Sequence, residues 1–115
     1  MASLSEEQYE ALAFPELTAL VRALDTLDHP DIEAELASDI LTIEFTDGTR
    51  YVVNSHRAAR QIWMAAERSA WHFDWSAETR SWIATKSGDE LWSTVSRVIE
   101  KRLGAPVALV REAAP

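Results

Sequence analysis

The sequence predicts an α+β fold: an antiparallel sheet of five or six strands with an N-terminal and a C-terminal helix packed on one face. Three observations predict it. Apolar residues recur at helical spacing up to about Leu27 and again from Leu91 to Leu103. Between those stretches the apolar period falls from 3.6 to two, as half-buried strands require. Within the period-two region, Asp47-Gly48 is a hairpin signal, because Gly allows the positive φ of a tight primed turn. A chain of 115 residues makes a single domain over 1–115 and can bury a core without a staple.

The first helix opens at Ser5, followed three residues later by Gln8 as in a capping box, with Leu4 placed as its apolar staple. Leu12, Ala13, Leu17, Leu20, Leu24 and Leu27 form the buried stripe. Pro15 removes the donor for the Ala11 carbonyl, so one kinked helix is expected, with two helices split at Pro15 as the alternative. Glu16 intrudes on the apolar stripe, and His29-Pro30 ends the helix. Ile32, Ala34 and Leu36 mark the first strand, Leu41, Ile43 and Phe45 the second, and Tyr51 and Val53 the third. Gln61–Met64, Trp71–Trp75 and Ser81–Ala84 read as the remaining strands. Ser87 and Glu90 suggest a second capping box, with acids in the first turn of the closing helix. Leu91, Val95, Val98, Ile99 and Leu103 give that helix its buried face, and Gly104 and Pro106 stop it. Val107 and Leu109 can pack back on the helices, while residues 1–4 and 111–115 are expected to fray.

Composition excludes several functions. There is no cysteine, hence no disulfide framework, thiolate metal site or cysteine nucleophile. No apolar run approaches a membrane span, and the N-terminus is acidic rather than signal-like, so a soluble cytoplasmic protein is expected. The net charge is −8, and 12 of the 19 acids lie in the first 47 positions, where Arg22 is the only base. Such a front half repels phosphate backbones, which argues against nucleic acid and for cations or a basic protein surface. Phosphate-cradling glycine loops, dinucleotide fingerprints and hydrolase triads are absent. His29, His56 and His72 show no ligand spacing with one another.

The acids instead form a ridge where the first helix hands over to the sheet. Asp25 and Asp28 are three apart at the helix end, and Asp31, Glu33 and Glu35 alternate with apolar residues along the first strand. Asp39 and Glu44 follow, and Glu7 and Glu10 project on the same flank of the helix as Asp25 and Asp28. Oxygen-only ligands of this kind suit hard cations, including Fe²⁺, Fe³⁺, Mn²⁺ and Ca²⁺. Outward residues on a strand sit roughly 6.5–7 Å apart, too wide for a rigid cage, so binding should be weak, distributed over several sites and rich in retained water. The competing reading is that charges on an edge strand merely keep it from pairing with other chains. Asn54, Gln61, Trp63 and His72 have the parity opposite to Val53, Ile62 and Phe73, and so should face outward on the open side of the sheet. A large outward Trp flanked by amides has the composition of a binding patch, ordinary cross-strand packing being the alternative. The other four tryptophans, Trp71, Trp75, Trp82 and Trp92, read as packing residues.

The order of helix, acidic strand, Ile40-Leu41-Thr42-Ile43, Asp47-Gly48, Asn54, Gln61-Ile62-Trp63-Met64-Ala65, His72-Phe73-Asp74, Trp82-Ile83 and Ser87-Gly88 resembles the frataxin family, in its bacterial CyaY-type branch. The resemblance runs from about Tyr9 to Leu103, and its most specific part is Gln61-Ile62-Trp63 seven residues after Asn54. His72 stands where animal members carry arginine, and Pro15 is unusual within the first helix. The resemblance implies a compact α+β domain that binds Fe²⁺ or Fe³⁺ at weak surface carboxylate sites, with other hard divalent cations able to substitute. It implies a role in iron–sulfur cluster assembly, as an iron chaperone or regulator that contacts the cysteine desulfurase and the scaffold protein. Asn54, Gln61, Trp63 and His72 would make the partner contacts and the ridge would hold iron. The implied state is a monomer at rest in a bacterial cytoplasm, with oligomerisation on iron as a variant. The alternatives are a ferroxidase that stores iron in oligomers, and an acidic protein-binding adaptor with incidental metal binding.

Overall fold

The structure is a computed structural model that describes residues 4–111. Helix α1 (Glu6–Leu27) opens on the expected reciprocal cap: the Ser5 hydroxyl accepts from Gln8 N at 3.1 Å, and Ser5 N donates to the Gln8 side-chain oxygen at 2.9 Å. Pro15 does not split α1, which runs through it as one element. The single carbonyl that loses its donor belongs to Ala11, and both Ala11 and Pro15 lie on the exposed side, where water can serve instead. Asp28 ends the helix in the left-handed conformation, its N–H returning to the Asp25 carbonyl at 3.1 Å.

Six antiparallel strands follow: β1 (Ile32–Ala37), β2 (Ile40–Phe45), β3 (Arg50–His56), β4 (Gln61–Ala66), β5 (Ser69–Ser76) and β6 (Ser81–Ala84), paired strictly in sequence order. A short 3-10 turn, Arg57–Ala59, joins β3 to β4. Register keeps pleat parity across the sheet: Leu41 opposes Val53, Val53 opposes Met64, Ile62 opposes Phe73, and Phe73 opposes Ala84. One face therefore presents Leu41, Ile43, Tyr51, Val53, Ile62, Met64, Phe73 and Trp82, all buried. Tyr9, Leu17 and Leu20 of α1 and Leu91, Val95 and Ile99 of helix α2 (Leu91–Leu103) join them in one core. The predicted class, with both helices on one face of the sheet, is the observed one. The other tryptophans pack as expected, Trp82 fully buried and Trp71, Trp75 and Trp92 lying partly buried against the core.

Two local expectations need correction. The turn at Asp47-Gly48 is not a two-residue primed turn. Gly48 N donates to the Phe45 carbonyl at 2.9 Å, Phe45 N to the Thr49 carbonyl at 2.8 Å, and of the turn residues only Gly48 takes positive φ. This is the longer loop in which a left-handed glycine closes an ordinary turn. Ser87 does not cap α2. Ala84 N bonds to the Asp89 carbonyl and Ile83 pairs with Glu90, so sheet-like pairing persists to Glu90 and delays the helix. Glu90 caps it instead, its carboxylate accepting from Trp92 N at 2.9 Å and Ser93 N at 3.0 Å, which leaves no acid in the first turn. Leu4 packs on the core, and Arg111 bonds to Glu16, the acid in the apolar stripe, which is only 3% exposed. The rest of the expected fraying, at 1–3 and 112–115, lies outside the described residues.

The β4–β5 turn carries no glycine, yet Glu67 and Arg68 both have positive φ, 51° and 70°. Such a conformation costs an L-residue roughly 1–2 kcal/mol. Buried Tyr51 donates to the Glu67 carboxylate at 2.8 Å, and Lys101 of α2 lies 3.3 Å from it. The Tyr51 bond first, and Lys101 second, hold the Glu67 carboxyl below the usual carboxylate range. Burial first, then the bond to Glu67 and its charge, raise the Tyr51 hydroxyl above its ordinary value. A carboxyl lowered in the folded state stabilises the fold above its unfolded pKa of about 4.3, and that contribution fades as pH falls through the lowered value. Chemical denaturation as a function of pH should therefore show wild type more stable than Tyr51→Phe at pH 7, with the gap narrowing below about pH 4. A gap independent of pH would mean that the hydroxyl bond does not need the ionised carboxylate.

Candidate functional site

The end of α1 and the edge strand β1 enclose a groove of about 480 Å³ lined by Asp25, Asp28, His29, Glu33, Glu35, Thr42, Glu44 and Arg50, among others. Its charge follows from the order of elements. α1 has no basic residue in its last turn, so the negative end of its dipole meets Asp25 and Asp28 uncompensated. β1 then lies at the sheet edge with Glu33 and Glu35 exposed, because Ile32, Ala34 and Leu36 face inward. Register sets Glu33 directly opposite Glu44, a like-charge pair. Arg50, opposite Glu44 on β3, bonds it at 3.0 Å, but both side chains are substantially exposed and the pair is weak. Five carboxylates thus face one guanidinium.

Of the nine acids expected to hold metal, the groove gathers Asp25, Asp28, Glu33, Glu35 and Glu44. Asp31 lines an adjoining cavity of about 360 Å³ with Glu33 and Glu44. The structure does not bring the other three to the same place. Glu7 and Glu10 sit near the start of α1, and the 15 or more residues from Glu10 to Asp25 span roughly 22 Å at 1.5 Å per residue. Shared helical flank was the right observation, but the rise along the axis separates the residues. Glu10 is also paired with Arg57 at 3.2 Å. Asp39 occupies the far turn of β1, where it accepts from the Ser55 hydroxyl and lines a small cavity with Phe14 and Arg57. His29, not expected to take part, joins the groove, its Nδ1 accepting from Asp31 N at 3.1 Å.

The donors are carboxylate oxygens with one imidazole, a set suited to hard or borderline cations. Among the described residues no three acidic or histidine side chains converge closely enough to cage an ion. A cation here would be shared among separated oxygens and keep much of its water.

On the open face of the sheet, register aligns Ile40, Asn54, Trp63 and His72 in one row across β2 to β5, with Gln61 in the next row. All four residues expected to face outward do so. The Trp63 ring is sandwiched between His56 at 3.8 Å and His72 at 4.2 Å, each 13° from parallel. Its Nε1 donates to the Gln61 side-chain oxygen at 2.7 Å, and Gln61 Nε2 donates to Asp74 at 3.0 Å. The indole is therefore fixed on both faces and at its polar edge. Sequence reasoning missed His56 and Ile40, although His56 shares the parity of Asn54 and Ile40, at 47% exposure, has the parity opposite to Leu41. Three strand spacings, roughly 14 Å, separate Trp63 from Glu35 on the same face.

A family model described as a frataxin-like domain matches residues 2–105. The iron-sulfur cluster assembly protein CyaY of Ralstonia pickettii is 34% identical over 112 residues, 95% of this chain and 97% of the relative. Frataxin from Psychromonas ingrahamii superposes with a TM-score of 0.84 at 22% identity, covering 94% of this chain and 100% of that one. Trimeric frataxin from the yeast Saccharomyces cerevisiae, solved in complex with ferrous iron, superposes with a TM-score of 0.70 at 25% identity, covering 90% of each chain. Near full-length agreement in sequence and in fold makes this chain a member of the frataxin family.

Proposed function

We propose that this protein is a non-catalytic iron-binding component of iron–sulfur cluster assembly in a bacterial cytoplasm. The observation that carries the reading is the groove at the C-terminal end of α1, where five carboxylates and a helix dipole of the same sign face one guanidinium. Iron is cargo there, held weakly as Fe²⁺ or Fe³⁺ by Asp25, Asp28, Asp31, Glu33, Glu35 and Glu44 with water retained. Glu7, Glu10 and Asp39 belong to a separate region and add only to the long-range field. The outward row around Trp63 docks the desulfurase and scaffold complex. A standard protein–protein footprint of roughly 800 Å² per partner is broad enough to take in both Trp63 and the β1 edge. A basic partner can therefore be steered by the groove and read by Asn54, Gln61, Trp63 and His72. The protein is a monomer at rest.

Iron titration under anaerobic conditions tests the groove. A cation at ten times its dissociation constant should stabilise the fold by about 1.4 kcal/mol. The double change Glu33→Lys and Glu35→Lys should abolish both the binding and the stabilisation while the fold is kept, since both side chains are exposed. Glu7→Lys should leave both unchanged. Equal losses from the two variants would place the iron elsewhere.

Trp63→Ala tests the docking row separately. Loss of two stacking contacts predicts a stability cost of about 1–2 kcal/mol, short of the ~3–5 expected for a core tryptophan. Iron affinity should be unchanged, and capture of the desulfurase–scaffold complex should fall by more than tenfold. Undiminished capture would remove Trp63 from the interface.

A further inference from the structure

At the sheet edge opposite the acidic groove, β5 runs past the end of β6. Pairing between them stops at Phe73 and Ala84, so Ser69–His72 pair with β4 on one side and have no β6 residue opposite them on the other. The chain leaving β6 bends away in a turn closed by Gly88 N to the Ala84 carbonyl at 3.0 Å and by Ala84 N to the Asp89 carbonyl at 2.8 Å, and Thr85 N ties it to the His72 carbonyl of β5 at 2.9 Å. This leaves a notch of about 300 Å³ lined by Ser69, Trp71, His72, Thr85, Lys86 and Ser87, among others. The Lys86 ammonium has no carboxylate partner among the described residues. His72 is held by its stack on Trp63, and among the described residues its ring nitrogens make no hydrogen bond, so they remain available to a ligand. The nearest acid in the chain turn, Asp89, is already engaged. It accepts from the Ser87 hydroxyl at 2.8 Å and lies 3.4 Å from Arg97.

We propose that this notch binds a small oxyanion, the phosphate or carboxylate group of a small molecule. The Lys86 ammonium, the Thr85 and Ser69 hydroxyls and His72 line it together, the Asp89 carboxylate beside them is already bonded to Ser87 and Arg97, and ionised acceptors make the strongest bonds to such donors. The same set disfavours a metal cation, which would meet the Lys86 ammonium and find the Asp89 carboxylate already bonded. Four strand spacings, roughly 19 Å, lie between β1 and β5. That exceeds the screening length of about 8 Å at physiological ionic strength, so the acids of the groove do not repel an anion here.

The test is a ¹H–¹⁵N correlation spectrum of the full chain during titration with inorganic phosphate, and separately with acetate, at ionic strength held constant with chloride. Saturating shifts confined to Ser69–His72 and Thr85–Gly88 are expected with at least one of the two anions. Comparison of the two arms shows whether phosphate or carboxylate is preferred. Lys86→Gln, whose side chain is exposed and unpaired, should keep the melting temperature and weaken binding by about tenfold. Thr85→Val should weaken it less. Failure of both anions to saturate, saturation at other residues, or an affinity unaltered in Lys86→Gln would overturn the proposal.

Discussion

Both helices pack on one side of a six-stranded sheet, and the consequences depend on pleat alternation surviving every connection between strands. A slip of one residue at any hairpin would turn buried positions outward from there on. The alternation holds from Ile32 in β1 to Ala84 in β6, so one face becomes core and the other is left to water with its side chains in straight rows. Trp63 can be presented with histidines on both flanks only because β3, β4 and β5 keep that register. Two of the turns that preserve it are strained or specialised. Gly48 supplies positive φ where the chain needs it, whereas Glu67 and Arg68 adopt it without glycine under the hold of Tyr51 and Lys101.

The electrostatics of the molecule run against local stability at one place and with it at others. Acids near a helix C-terminus are unfavourable by roughly 0.3–1 kcal/mol each, and Glu33 facing Glu44 adds a further repulsion. Elsewhere several arginines neutralise an acid: Arg57 beside Glu10, Arg97 beside Asp89, Arg102 beside Asp47. Among the described residues Arg50 is the one arginine or lysine that lines the groove, and it is drawn to a single carboxylate. Repulsion is concentrated at one end, and a positively charged ligand bound there would relieve it.

The C-terminal segment shows how a long-range contact changes the meaning of a residue. Glu16 sits among apolar side chains of α1, where an unpaired carboxylate would be strongly unfavourable. Arg111 meets it from a position 95 residues away and lies over Trp92, while Val107 and Leu109 cover the core on the way. The chain from Val107 to Arg111 thereby packs on the fold.

Periodicity and turn chemistry determined the element order, the inward residues of the first five strands, the Ser5 cap and the four outward residues around Trp63, because each depends on spacing along a few neighbouring residues. The charge asymmetry was equally legible, as was the family. Tertiary structure decided which acids share a groove. Helical phase alone placed Glu7 and Glu10 with Asp25, but a rise of 1.5 Å per residue and the approach of Arg57 set them apart. It also decided that Ser87 yields the cap of α2 to Glu90, that Arg111 answers Glu16, and that His56 joins His72 on Trp63. Those contacts join residues distant in sequence or depend on pairing that persists past a strand end, and no local pattern encodes where two separately specified elements will meet.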